Sequence, residues 1–213
     1  MTKIRIPLAL LIITLFLACK NRENNLDSRS DTASPQQTPD SDVQGEKSSF
    51  QKTLSLHGIS FEVSTMGDGS VRQLTIQPTG LKSGDTPYRA EIDGSVADAE
   101  IEDLNADGYP ELLIYTISAG SGSYGNVVGF SVLGGQSMVP ISFPDISGSA
   151  EASKGYMGHD VFAIVEATLT RNFPIYREGD PNSGPTGGTR QIAYKMEAGE
   201  NSPVFTIRNI SDY

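Results

Sequence analysis

Cysteine is all but missing from this chain: the single one is Cys19, so no internal disulfide can form, and a lone cysteine in an exported protein asks for another role. Histidine is nearly as scarce, with only His57 and His159. No HExxH, no histidine pair at metal spacing and no CxxC occurs, which argues against a zinc site. A serine nucleophile elbow is lacking too. Two residues before Ser121 stands Ala119, and two before Ser123 stands Ser121, where the elbow needs glycine. Carboxylates are plentiful, but nothing in their spacing singles out a pair for glycoside hydrolysis. No window sustains a long 3.6-residue periodicity, and the best helical candidate is a short turn near Glu151 to Tyr156. No internal repeat is visible. Catalysis, such as that of a glycan-active enzyme, would have to rest on a constellation that the sequence does not single out.

Positive charge is also in short supply. Lys and Arg number 16 against 26 Asp and Glu, a net charge of -10. Such a chain repels phosphate backbones, so nucleic acid is a poor partner. A basic protein is a natural one, because opposite fields speed encounter and favour orientation.

What is present begins with a leader. Lys3 and Arg5 precede an apolar stretch from Ile6 to Leu17, too short to span a bilayer and suited to a secretory signal. It ends Phe16-Leu17-Ala18-Cys19, which resembles the lipobox of bacterial lipoproteins. That resemblance implies a signal peptide over 1–18 and a lipidated Cys19 that anchors the chain to a membrane. Cleavage by signal peptidase I, with Cys19 a bystander, is the alternative. Lys20 after the cysteine, in place of the aspartate of inner-membrane retention, favours the outer membrane, facing periplasm or surface. Residues 19–49 hold only Leu26, Ala33 and Val43 as aliphatic side chains, so they read as a disordered tether. Thirty flexible residues would reach about 30 Å.

From Phe50 to Tyr213 the pattern becomes two-residue alternation bounded by Gly, Pro, Asn and Asp. Leu54/Leu56 and Ile59/Phe61/Val63 flank His57-Gly58, a tight-turn pair. Leu74/Ile76, Ala90/Ile92, Leu113/Tyr115/Ile117, Val128/Phe130/Val132 and Val139/Ile141/Phe143 follow. Val161/Ala163/Val165, Ile192/Tyr194/Met196 and Phe205/Ile207 complete the series. Short β-branched segments at such spacing predict one all-β domain, an antiparallel β-sandwich.

Asp103-Leu104-Asn105-Ala106-Asp107-Gly108-Tyr109-Pro110-Glu111 matches D-x-N-x-D-G-x-x-E. Asp103, Asn105 and Asp107 could offer calcium three oxygens from one side of a tight loop. The twelfth position, where an EF-hand needs a bidentate Glu, is Ile114. An Asx-rich turn feeding the next strand explains the same residues. Both readings stand at this point, and the first would make the domain a calcium-dependent binding module of the cell envelope.

A further set of segments is Ser118-Ala119-Gly120-Ser121-Gly122-Ser123-Tyr124-Gly125, Gly155-Tyr156-Met157-Gly158-His159-Asp160, Phe173-Pro174-Ile175-Tyr176 and Pro185 to Tyr194. In that order and at those separations they resemble the periplasmic inhibitors of invertebrate-type (i-type) lysozyme, over roughly Ala99 to Glu197. The resemblance implies a β-sandwich that pushes a loop into the lysozyme cleft, an i-type lysozyme as partner, and no catalysis; it also allows a homodimer. It implies Ser121, Gly122, Ser123 and Tyr124 as the contact loop, with Thr189 and Arg190 as a second contact. Glycines let such a backbone approach a partner closely. The hydroxyls of Ser121 and Tyr124 suit a cleft that holds two carboxylates, because a hydroxyl both donates and accepts. Taken alone, the loop reads equally as a hairpin connection with Tyr124 packed on a sheet edge.

Overall fold

A computed structural model describes residues 47–213; the leader, Cys19 and the tether up to residue 46 lie outside the described residues. Alternation does build strands, twelve of them among the described residues. The first four are β1 (Ser48–Leu56), β2 (Ile59–Met66), β3 (Val71–Thr79) and β4 (Tyr88–Asp93). They form one antiparallel sheet in chain order. The next four are β5 (Ser95–Glu102), β6 (Glu111–Ile117), β7 (Gly125–Leu133) and β8 (Ser137–Ile141), and they form a second. The last four, β9 (Val161–Val165), β10 (Thr168–Pro174), β11 (Thr189–Glu197) and β12 (Val204–Asp212), form the third. The β1–β2 turn uses His57 at φ 51° and Gly58 at φ 82°. Two successive positive φ values suit the right-handed twist of the hairpin.

The sandwich expected from the sequence therefore has three layers, and the middle sheet is covered on both faces. Leu112 and Ile114 of β6 point into a core with Phe61, Val63, Leu74 and Ile76 of the first sheet. Leu113 and Tyr115 of the same strand point into a second core with Phe162, Leu169, Phe173 and Ile192 of the third. Hence every residue from Glu111 to Thr116 is buried, as expected of a strand covered on both faces. Removing apolar surface from water on both sides makes the middle sheet the anchor of the fold.

Register corrects two sequence-based expectations. The alternation Val161/Ala163/Val165 marks the outer face of β9, with Val161 63% exposed, while Phe162 enters the core. Phe143 stands beyond the end of β8, yet its ring packs on Phe162, Tyr194 and Phe205. Residues 151 to 155 form turns, and the only helical element among the described residues is a 3-10 turn at Ile146–Gly148. Ser142 then bridges to Val204 of β12 and ties the exit of the middle sheet to the third.

Candidate functional site

β6 and β7 are paired up to Ile117 and Gly125, so Ser118 to Tyr124 form a closed loop at the end of the middle sheet. Its base is tied twice: Ser118 N–H donates to the Tyr124 carbonyl at 2.9 Å, and Tyr124 N–H donates to Ser118 Oγ at 3.1 Å. At the tip Ser123 N–H donates to the Gly120 carbonyl at 3.3 Å, with Gly120 at φ 148° and Ser123 at φ 45°. Ala119, Gly120, Ser121 and Tyr124 are exposed, and no residue of the loop carries a formal charge. A hairpin loop of this length projects roughly 10 Å beyond its sheet, at the rise per residue of extended chain.

A second segment runs beneath this loop. His159 N–H donates to the carbonyls of Gly122 at 2.9 Å and Ser123 at 3.1 Å. Gly158, at φ 88°, passes so close that a Cβ there would collide with the Gly122 carbonyl oxygen. Gly125 N–H donates to Asp160 Oδ2 at 2.6 Å. The Tyr124 ring, half-exposed, meets the Tyr156 ring edge-on at 5.7 Å, and Tyr156 meets Phe173 at 4.8 Å. Tyr124 is thus a core-supported aromatic on the surface. Beside it lies a groove of about 330 Å³ whose lining includes Asn126, Phe143, Asp145, Tyr156 and Arg171.

Thr189 and Arg190 sit differently from the expectation. Thr189 exchanges backbone hydrogen bonds with Tyr213, at 2.8 and 3.0 Å. Arg190, 5% exposed, does make a bidentate contact with an acid, but the acid is its own Asp212, at 2.7 and 2.8 Å. Its Nη1 donates to the carbonyls of Glu151, Ala152 and Lys154. The hydrogen bond with Asp212 holds that carboxyl below the usual range. Arg190 therefore fastens the last strand and the 151–154 turn, and its guanidinium faces the protein interior. Both residues are thus engaged within the chain.

The Asp103–Glu111 loop lies at the other end of β6. Asp103 accepts from Asp107 N–H at 3.1 Å and Gly108 N–H at 2.9 Å. Asn105 Oδ1 accepts from Asp107 N–H at 2.9 Å, and Asp107 accepts from Tyr109 N–H at 2.8 Å. These are the bonds of an Asx-rich turn. Glu111, fully buried, accepts from the Ser131 hydroxyl at 2.7 Å and Leu104 N–H at 2.8 Å. Burial pushes its carboxyl up to about 7, with Asp107 and Asp103 adding repulsion against the two hydrogen bonds. Among the described residues no group of three or more His, Cys, Asp or Glu side chains is placed to hold a metal.

Sequence reasoning did not assign Asp160 and Arg171 to the site. One signal was available: Arg171 shares the inward parity of Leu169 and Phe173, and a charge there demands a buried partner.

Residues 84–153 match the sequence model of a family described as periplasmic lysozyme inhibitor of I-type lysozyme. The matched stretch covers about a third of the chain and carries β4 to β8, with the whole Ser118–Tyr124 loop. The segments from Gly155 onward lie outside it. That family is one of inhibitors, not enzymes, and the chain is similar to it. No curated protein and no solved structure matches the chain.

Proposed function

We propose that this chain inhibits an i-type lysozyme by inserting the Ser118–Tyr124 loop into the enzyme's substrate cleft. The observation that carries the reading is a coincidence of place. The family match contains one long, exposed, uncharged loop, and that loop ends in an aromatic residue standing on the partly buried Tyr156 ring, itself packed on buried Phe173. A hydroxyl from Ser121 or Tyr124 meets a carboxylate of either protonation state. Tyr124 brings rigid contact area with few torsions to freeze, which is the makeup of an interface hot spot. Gly122 has no side chain because the Tyr124 ring lies over it. The acidic domain adds long-range attraction to a basic enzyme. In this reading Cys19 tethers the inhibitor by lipid to the cell envelope, on the outer membrane, so that it meets the enzyme where peptidoglycan is attacked.

The test is inhibition of i-type, chicken-type and goose-type lysozymes by the purified protein, with Ser121→Ala and Tyr124→Ala beside it. Selective inhibition of the i-type enzyme is expected, weakened by Tyr124→Ala roughly 30-fold or more, as for a hot-spot aromatic. Unchanged inhibition by both variants would discard the loop and keep the function. No inhibition of any class would discard the function.

A further inference from the structure

We infer that Asp160, Arg171 and Tyr156 are positioning residues that hold the inhibitory loop in its binding shape, a role that rests on the proposed function for its meaning. Asp160 and Arg171 form an ion pair at 2.6 Å, with side chains 0% and 3% exposed. Burying such a pair is a poor way to add stability, because desolvation offsets most of the attraction and apolar residues of equal volume often do as well. What apolar residues could not do is accept hydrogen bonds. Asp160 Oδ2 accepts from Gly125 N–H and from the Tyr156 hydroxyl, both at 2.6 Å. Arg171 Nη2 donates to the same hydroxyl at 2.7 Å, and its guanidinium lies 4.9 Å from the Tyr156 ring centre and 5.3 Å from that of Phe162.

One carboxylate therefore fixes two things: the residue at which the loop re-enters β7, and the ring on which Tyr124 leans. The backbone of His159, next in the chain, fixes the carbonyls of Gly122 and Ser123. The C-terminal half of the loop is thus held by a segment of another sheet's approach. Ordering a loop before it binds removes an entropy cost that binding would otherwise carry.

The test uses two paired substitutions in the full chain. Asp160→Leu with Arg171→Leu removes both charges, so no buried charge is stranded, and it removes the acceptor for Gly125. Asp160→Asn with Arg171→Leu also removes both charges but returns a carbonyl to Gly125. Hydrogen exchange of the 118–125 amides and the inhibition constant are read together. The Leu/Leu pair is expected to speed exchange in the loop, with the core amides of β6 unchanged, and to weaken inhibition roughly 10- to 100-fold. The Asn/Leu pair is expected to recover most of both. Tyr124→Ala should cost less in the Leu/Leu background than in the natural chain, since the ring has lost its fixed seat. Wild-type loop exchange and inhibition in a folded Leu/Leu protein would overturn the inference. Should that protein fail to fold, Tyr156→Phe decides, because it deletes the shared hydroxyl alone; an unaltered loop and unaltered inhibition would overturn it equally. A natural chain that inhibits no lysozyme sinks the proposed function, while the exchange arm still decides whether these residues hold the loop.

Discussion

Glu111→Gln should make the protein more stable at neutral pH and remove most of a pH dependence the natural chain carries. Glu111 is buried at the start of β6, and its carboxyl ionises near 7 in the folded protein against 4.5 when unfolded. Between those values the folded state binds more protons than the unfolded one. Stability from this group is therefore fully present below about pH 4.5 and is lost as pH rises through about 7. The difference between 4.5 and about 7, at about 1.36 kcal/mol per tenfold change in proton affinity, amounts to about 3 kcal/mol. Glutamine imitates the protonated acid: its oxygen can accept from Leu104 N–H, and its amide can donate to Ser131 Oγ. Urea unfolding of both proteins from pH 5 to pH 8 reads the difference, with EDTA present to exclude cation effects. Near pH 5 the two should be within about 1 kcal/mol, and at pH 8 the variant should lead by about 3 kcal/mol, roughly 6–12 °C in melting temperature for a domain of this size. The carboxylates held low, such as Asp98 and Asp212, titrate below this window and are common to both proteins. Parallel pH profiles for the two would refute the reasoning.

Four further outcomes follow from the geometry. Arg190→Lys breaks the bidentate contact with Asp212 and should cost about 1–3 kcal/mol in urea unfolding; inhibition should stay intact if the role is internal, whereas a loss of affinity larger than the loss of stability would make Arg190 a partner contact. Gly158→Ala drives a Cβ into the Gly122 carbonyl and should weaken inhibition by tenfold or more, with thermal melting lowered as well; an unaffected inhibition constant would mean the loop does not depend on this approach. Phe162→Ala should destabilise by about 3–5 kcal/mol while Val161→Ser stays within about 0.5 kcal/mol, and equal costs would contradict the register of β9. Raising salt should slow association with the lysozyme and leave dissociation nearly unchanged, while Tyr124→Ala should do the reverse; stopped-flow or surface-based kinetics would show a salt-sensitive dissociation rate if steering is not the role of the acidic surface.

Strand periodicity was legible because most strands bury one face and leave the other wet. It failed where polar groups enter the core. β10 reads Thr168-Leu169-Thr170-Arg171-Asn172-Phe173-Pro174, and Thr170 and Arg171 are both buried. Their partners come from elsewhere in the chain, Asp160 for Arg171 and the Ala163 carbonyl for Thr170, so no local window could reveal the strand. β5 hides behind a bulge at Ala97 and behind Glu100, whose carboxylate accepts from the Tyr115 hydroxyl and Ile164 N–H. In β9 the exposed face is the more β-branched one, so alternation found the strand and inverted its sides. The loop itself was readable as a turn from its glycines and serines. Its support was not, because the interaction between residues 122 and 159 is set by how two sheets meet.

The division between matched and unmatched residues then has a physical meaning. Residues 84–153 supply the middle sheet and the loop, which is the part that would touch an enzyme. The third sheet and the Gly155–Asp160 segment supply what fixes that loop: an acceptor for Gly125, a seat for Tyr124 and a backbone donor for Gly122. A seven-residue loop with two glycines has many conformations open to it, and each must be given up on binding. The fixing groups, placed in another layer, hold the loop's frame through backbone bonds to Gly122, Ser123 and Gly125. The middle sheet presents the loop, but it is the layer behind it that decides whether the loop is already in the shape a cleft requires.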